Sequence, residues 1–274
     1  RRRTAAWRRA CQVDGEAVMR RLAQFALLGA LAGAVAAGPA RAQETEAPTP
    51  PAQKWSFSGL FGAYDLAAAQ RGFGIYESVC SNCHSMNLLH YRDLAGIGLT
   101  PAQIKAVASN NTVPLGTNDQ GEPITGPALP SSPFKAPFAN EKAARAANNG
   151  ALPPDQSLMV NAYPGGADFV YAVLTGYTDP PPGFQLQQGM NYNKYFPGHQ
   201  IAMPQPLQAD QVQYTDGTKP TLEQEAHDVV TFLAWAANPE MVQRKQIGVR
   251  VVLFLVLMTG LTYVVKRKVW SDVH

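Results

Sequence analysis

The chain has few residues that could ligate a metal ion, with only three cysteines and five histidines among its 274 residues. Cys80 and Cys83 lie close together, whereas Cys11 lies far upstream. A structural zinc site needs a second pair of ligands, and one distant cysteine does not supply it. The low cysteine content therefore disfavours a zinc domain.

Motifs of the common enzyme active sites are also missing. No carboxylate pair, nucleophile–base pair or phosphate-binding loop stands out, and the glycines at 165–166 lack the strand–loop–helix frame of a nucleotide site. Alternating strand patterns are scarce, and there is no internal repeat. Three histidines lack metal-ligand spacing and are expected to be ordinary polar residues: His90, His227 and His274. These absences favour a mainly helical domain with long loops.

The most informative motif is Cys-Ser-Asn-Cys-His at residues 80–84. Cys-x-x-Cys-His is typical of c-type haem attachment, in which each thiol adds to one haem vinyl group. The adjacent imidazole of His84 can then bind the iron as the proximal ligand. The alternatives are a redox Cys-x-x-Cys pair, half of a zinc site and a chance match. A redox pair does not need the histidine. The motif predicts one covalently bound haem c, held by Cys80 and Cys83.

A low-spin electron carrier needs a second axial ligand, and the sequence alone leaves several candidates. Met203 is favoured, because it lies in a proline-flanked loop far downstream of His84, and Pro204 stiffens that loop. A thioether ligand also raises the reduction potential. The alternative is that Met203 only packs in the core, as most methionines do. The other candidates are an open site, Met86, Met159, Met190, Met241 and the remaining histidines, with His199 the main rival.

Residues 19–42 have the pattern of a cleaved secretory signal. Two arginines follow Met19, an apolar run spans 22–37, and Ala-Arg-Ala ends at Ala42. We expect cleavage after Ala42, although a retained membrane helix is the alternative. Residues 1–18 have no clear fold signal, and Cys11 is expected to be absent from the mature protein.

Residues 247–265 are expected to form a membrane-spanning helix. They are apolar except for Arg250 and a few small polar residues, and 19 residues extend roughly 28 Å, close to the thickness of a bilayer core. Three basic residues follow at 266–268, which by the positive-inside rule puts the tail, 266–274, in the cytoplasm. A buried core helix is the alternative.

Charge is segregated along the chain. Residues 43–246 carry 17 acidic and 11 basic residues, a net charge of −6, whereas both ends are basic. This pattern fits an exported domain with a membrane anchor and argues against a nucleic-acid partner. The alternative is that the charge only keeps the domain soluble.

Helix-start signals recur in the middle of the chain. Asp65 is a plausible N-cap for a helix that leads into the haem motif, and capping boxes occur at 100–103 and 221–224. The proline-rich residues 43–54 are expected to be a flexible arm, which precedes a haem domain over 55–246.

Several segments together resemble the cytochrome c1 family, the haem subunits of cytochrome bc1 complexes. The resemblance runs from about Trp55 to Trp270 and keeps the family's order of segments and its single C-terminal anchor. The matching segments are RGF at 71–73, VCSNCHSM at 79–86, YRDL at 91–94, ARAANNGALPPD at 144–155, GGAD at 165–168, LTGY at 174–177 and YFPGHQIAM at 195–203.

The resemblance implies a cytochrome c core enlarged by loop insertions, with one transmembrane helix. It also implies Met203 as the second axial ligand, Asn148, Pro153 and Pro154 as residues lining the haem, and Arg145 as a candidate charge partner. The chain departs from the family pattern at Tyr163-Pro164, where some relatives carry an arginine that binds a propionate, and at Phe169, which replaces a tyrosine. Arg92 or Arg145 is then expected to compensate the propionates.

The function implied by the resemblance is electron transfer. The family takes electrons from a Rieske iron–sulfur protein and passes them to a c-type cytochrome, beside cytochrome b in a dimeric complex. The chain would belong to an enzyme, ubiquinol–cytochrome c oxidoreductase, without substrate chemistry of its own. We expect it in the lipid of a bacterial inner membrane, with the haem domain in the periplasm. A haem peroxidase with an open sixth position and a free-standing anchored cytochrome are the rival hypotheses.

Overall fold

A computed structural model of the protein describes residues 47–272. The predictions for the signal peptide, for Cys11 and for His274 lie outside this range. The helices are α1 Leu66–Ser78, α2 Pro101–Ser109, α3 Glu141–Ala147, α4 Met159–Ala162, α5 Gly166–Thr175, α6 Leu222–Ala237 and α7 Met241–Val269. The short strands are β1 Thr112–Thr117, β2 Pro123–Pro127, β3 Asn191–Tyr192 and β4 Gln200–Ile201. The predicted mainly helical fold with one long apolar C-terminal helix is confirmed.

Helices α2 and α6 begin where their sequence signals indicate. At α2, Thr100 and Gln103 form the full capping box, each side chain bonding the backbone of the other. At α6, the Thr221 side chain accepts from the Gln224 amide, but the Gln224 side chain donates instead to Asp228 on the next turn. The second predicted box is therefore only half formed, because a buried carboxylate competes for the glutamine.

Helices α1 and α6 form the central pair that carries the haem motif. Asp65 caps α1 by accepting from the amides of Ala67 and Ala68, as predicted. The two helices approach closely at Gly72, where a Cβ atom would lie 2.0 Å from the backbone oxygen of Asp228. Because α1 ends at Ser78, just before the motif, its packing on α6 sets the position of the cysteines.

Two small antiparallel sheets lie in the loops. Strands β1 and β2 form a hairpin with a bulge between Pro114 and Gly116, and β3 pairs with β4 just before Met203. Neither sheet was predicted, because the strands are short and mostly lack alternating burial.

Helix α7 is 29 residues long, with a mean hydropathy of 2.1 in its most apolar window and no buried residue in that window. It is therefore long and apolar enough to cross a membrane. It extends beyond the predicted 247–265 at both ends, and its last turn carries three basic residues.

Residues 47–54 of the predicted arm have no regular secondary structure. The Gln53 amide and the Trp55 indole both donate to Oδ1 of Asp168, at 3.0 and 2.7 Å. The end of the arm is thus attached to α5, while the flexibility of 43–54 as a whole stays a prediction.

Candidate haem-binding site

A cavity of about 560 Å³ lies beside the Cys-x-x-Cys-His turn, within the usual size range of ligand pockets. It brings together Cys80, Cys83 and His84 with Met203, which lies more than a hundred residues further along the chain. Most of the lining is apolar, from α5, α6 and the loops. The other predicted lining residues are also present: Asn148, Pro153 and Pro154.

The two cysteines lie on a tight turn that continues from α1. The amides of Cys83 and His84 both donate to the carbonyl oxygen of Cys80, at 3.1 and 2.9 Å. Both thiols are free, and burial raises the pKa of Cys80 to about 12. The two sulfurs border an apolar cavity, as thioether attachment of a haem requires.

The imidazole of His84 is buried and oriented by the backbone of a distant loop. Its Nδ1 lies 2.8 Å from the carbonyl oxygen of Pro154. Because a carbonyl oxygen can only accept, Nδ1 carries the proton and Nε2 keeps a free lone pair. Burial lowers the pKa of His84, which favours the neutral ring that a metal needs. This is the arrangement by which proteins orient a metal-binding histidine.

The loop that holds His84 is itself fixed by Asp155. Its carboxylate accepts from the Ser85 hydroxyl and the Asn87 amide, both at 2.8 Å, and from the Ser157 amide at 2.9 Å. Burial tends to raise the pKa of Asp155, but these hydrogen bonds outweigh it and lower the pKa. Asp155 ends the NNGALPPD segment, but no local sequence pattern predicts this role.

Asn148 and Arg145 shape the turn that leads along the cavity. The Asn148 side chain donates to the Ala144 carbonyl at 2.7 Å, closing α3. Asn149 and Gly150 follow with left-handed backbone, at φ of 51° and 89°. Arg145 does not line the cavity, and its guanidinium donates to the Gly150 carbonyl at 3.0 Å. Arg145 therefore braces the turn.

The backbone of Met203 is held by two side chains. The Tyr177 hydroxyl and the Asn191 amide donate to its carbonyl oxygen, at 3.0 and 3.3 Å. Pro204 follows Met203, and the pairing of β3 with β4 holds the chain just before it. The backbone of this segment is therefore fixed, as a loop carrying a weak thioether ligand would need to be.

The other candidate ligands differ in whether they line the cavity. Met159 also lines the cavity, whereas Met86 is fully buried in the core and does not line it. His199 is outside the lining, and its Nδ1 lies 3.1 Å from the Lys194 carbonyl. Within residues 47–272, Met203 and Met159 are the methionines that reach this cavity, and His84 is its one histidine.

Comparison with known proteins identifies the family of the chain. Residues 55–273 match the family model described as the Cytochrome C1 family. The chain belongs to the cytochrome c1 family. The sequence is 43% identical over 237 residues to "Cytochrome c1" of Rhodospirillum rubrum, covering 81% of this chain and 87% of the relative.

Two mitochondrial relatives have similar identity to the chain. "Cytochrome c1 1, heme protein, mitochondrial" of Arabidopsis thaliana is 45% identical over 221 residues, covering 81% of this chain and 72% of the relative. "Cytochrome b-c1 complex catalytic subunit, mitochondrial" of Candida albicans is 43% identical over 225 residues, covering 82% of this chain and 78% of the relative.

The cavity of this cytochrome c1 family member has an uncharged lining. None of the described lining residues is an arginine or a lysine. Tyr163 and Phe169 both line it, with ring centroids 5.0 Å apart. Compensation of a haem's propionates by Arg92 or Arg145 stays a prediction, and neither residue borders the cavity.

Proposed function

We propose that the chain is the electron-transfer subunit of a cytochrome bc1 complex, ubiquinol–cytochrome c oxidoreductase. It takes an electron from a Rieske iron–sulfur protein and passes it to a c-type cytochrome. The observation that carries the proposal is the convergence of Cys80, Cys83, His84 and Met203 on one apolar cavity. The names of the relatives, which specify a heme protein and a cytochrome b-c1 complex, support it.

Each of these residues has a definite task. Cys80 and Cys83 would form thioethers to one haem c, which when bound supplies reversible one-electron transfer. His84 would offer Nε2 to the iron, in the tautomer set by its hydrogen bond to the Pro154 carbonyl. The Met203 sulfur would be the second protein ligand of the iron, and a thioether favours the ferrous state. The apolar lining would keep water out of the cavity, so that water would not displace His84 or Met203 from the iron.

The proposed setting is a bacterial inner membrane. Helix α7 spans it and packs on cytochrome b, with the haem domain in the periplasm and the basic tail, from residue 266, in the cytoplasm. The complex is dimeric. The chain makes and breaks no bond in a substrate and contributes to catalysis only as a carrier.

Charge complementarity is proposed to guide the electron acceptor. The net charge of −6 over residues 43–246 suits a basic cytochrome. Salt screens such steering, so reduction of the acceptor is expected to slow as ionic strength rises. A rate that does not depend on salt would remove steering from the account.

Mass spectrometry of the denatured polypeptide tests the covalent attachment. We expect the chain to carry the mass of one haem, and a double variant, Cys80→Ser with Cys83→Ser, to carry none. Ser81→Ala, between the two cysteines, is the control and should keep the haem. A chain without haem would contradict the proposal, as would rapid cyanide binding, which indicates an open sixth position.

Purification of the tagged protein should also recover cytochrome b and a Rieske protein.

A further inference from the structure

The segment between Trp55 and α1 forms a closed loop with an apolar tip. The Ala63 amide donates to the Ser56 carbonyl at 3.1 Å, which joins the two ends of the loop. Gly59, at φ of 74°, makes the turn. At the tip, Leu60 is 61% exposed and Phe61 is 85% exposed. Two adjacent large apolar side chains are thus presented to the surroundings.

The loop is rigidly built. A Cβ atom on Gly62 would lie 2.1 Å from the Ser58 carbonyl oxygen, so the backbone is as tight as glycine allows. The Phe57 ring packs between Trp55 and Tyr64, with both centroid distances at 5.3 Å. The exposure of the tip therefore belongs to an ordered loop with a packed base.

The loop is also attached to the beginning of α7. The Lys245 ammonium donates to the carbonyl oxygens of Phe57 and Gly62, at 2.7 and 3.3 Å. Lys245 comes two residues before the expected start of the membrane span at 247, which is about 3 Å along a helix. The loop base thus lies at the level where α7 would enter the bilayer.

We propose that Leu60 and Phe61 insert into the lipid interface beside α7 and form a second attachment of the domain to the membrane. Apolar and aromatic side chains at this depth are stabilised in the headgroup region. Arg244 and Lys245 place positive charge at the same level, which suits anionic lipid headgroups and favours lipid over a protein partner. The inference rests on α7 spanning the membrane.

The second attachment would restrict rotation of the haem domain. Beside the proposed packing of α7 on cytochrome b, a second contact point at the membrane would further fix the orientation of the domain. The loop leads directly into Asp65 and α1, the helix that precedes Cys80. The membrane would thereby orient the cavity towards its partners.

Fluorescence quenching of a thiol-reactive NBD label tests the inference in the intact complex, reconstituted into vesicles with anionic lipid. The label is attached to Phe61→Cys in a Cys11→Ser background. Cys80 and Cys83 do not react, because in the proposed complex both are held in thioethers, so position 61 carries the one free thiol. Leu115→Cys, on the exposed β1 strand, is the control. We expect nitroxide-bearing lipid to quench the label at 61 and iodide in the buffer not to, with the reverse at 115.

Two other quenching results would overturn the inference. Quenching by iodide at 61 would place the tip in water, and quenching by neither agent would show that a protein partner covers it. Extraction with alkaline carbonate separates this failure from failure of the anchor. A chain that resists extraction while its label is quenched by iodide would refute only the loop, whereas a chain released by carbonate would refute the anchor and the loop together.

Discussion

The imidazole Nδ1 of His84 lies 2.8 Å from the carbonyl oxygen of Pro154, although the two residues are 70 positions apart. This hydrogen bond leaves Nε2 as the nitrogen available for a metal. It also joins the haem motif to the NNGALPPD segment, so the orientation of the ring depends on how well that segment is held.

Asp155→Asn is expected to loosen this connection. An asparagine can replace only part of the carboxylate's acceptor capacity, so we expect a loss of about 1–2 kcal/mol in the free energy of unfolding. Guanidinium titration measures it, with the exposed Asp179→Asn as the control. Equal stability of the two variants would contradict the role given to Asp155.

The same carboxylate predicts a dependence of stability on pH. Its pKa is lowered in the folded protein, so its contribution is present above its ordinary pKa of 3.8 and is lost as the pH falls below that value. The stability difference between wild type and Asp155→Asn should therefore shrink in strong acid. A difference that stays constant down to the acid transition would contradict this linkage.

Tyr177→Phe is expected to weaken the hold on Met203. The variant removes the hydroxyl that donates to the Met203 carbonyl and leaves only the longer bond from Asn191. A lost hydrogen bond of about 1 kcal/mol corresponds to roughly fivefold faster replacement of the sulfur ligand by imidazole in stopped-flow experiments. Tyr192→Phe, whose hydroxyl has no partner among the described residues, is the control. Equal rates in the two variants would exclude this positioning role.

Arg71 forms two ion pairs that should differ in importance. It lies 2.7 Å from both Asp228, whose side chain is fully buried, and Asp216, whose side chain is 42% exposed. Asp228→Asn removes the charge that faces the partly buried guanidinium and is expected to cost about 3 kcal/mol. Asp216→Asn should have little effect, because solvent screens that pair. Similar shifts of the unfolding midpoint in Asp228→Asn and Asp216→Asn would show that burial does not determine how much each ion pair stabilises the fold.

Two glycines of α1 should respond in opposite directions to substitution by alanine. A Cβ atom on Gly72 would overlap the Asp228 backbone, so Gly72→Ala must push α1 from α6, at a cost of about 2 kcal/mol or more. Gly74 has nothing within 4 Å of that position, and Gly74→Ala should stabilise by about 0.5–1 kcal/mol. Calorimetry of both variants is the measurement, and destabilisation by both would contradict the close approach.

The features predicted correctly from the sequence are those with local signals. Asp65 and Thr100 cap their helices through neighbouring residues, and the apolar pattern predicts α7. The hairpin β1–β2 was not predicted because its short strands lack alternating burial, and the role of Asp155 depends on tertiary contacts that leave no periodic pattern. The sequence favoured Met203 because of its proline-flanked loop, but nothing in it indicated that Met159 also lines the cavity.

The central claim is a haem bound by thioethers, with nitrogen from His84 and sulfur from Met203. Redox titration with visible spectroscopy of Met203→Leu beside Met159→Leu tests it most directly. We predict that Met203→Leu lowers the midpoint potential by on the order of a few tenths of a volt and loses the low-spin spectrum, since axial ligands set potentials over about 0.8 V, while Met159→Leu keeps both. An unchanged potential and spectrum in Met203→Leu would contradict the account.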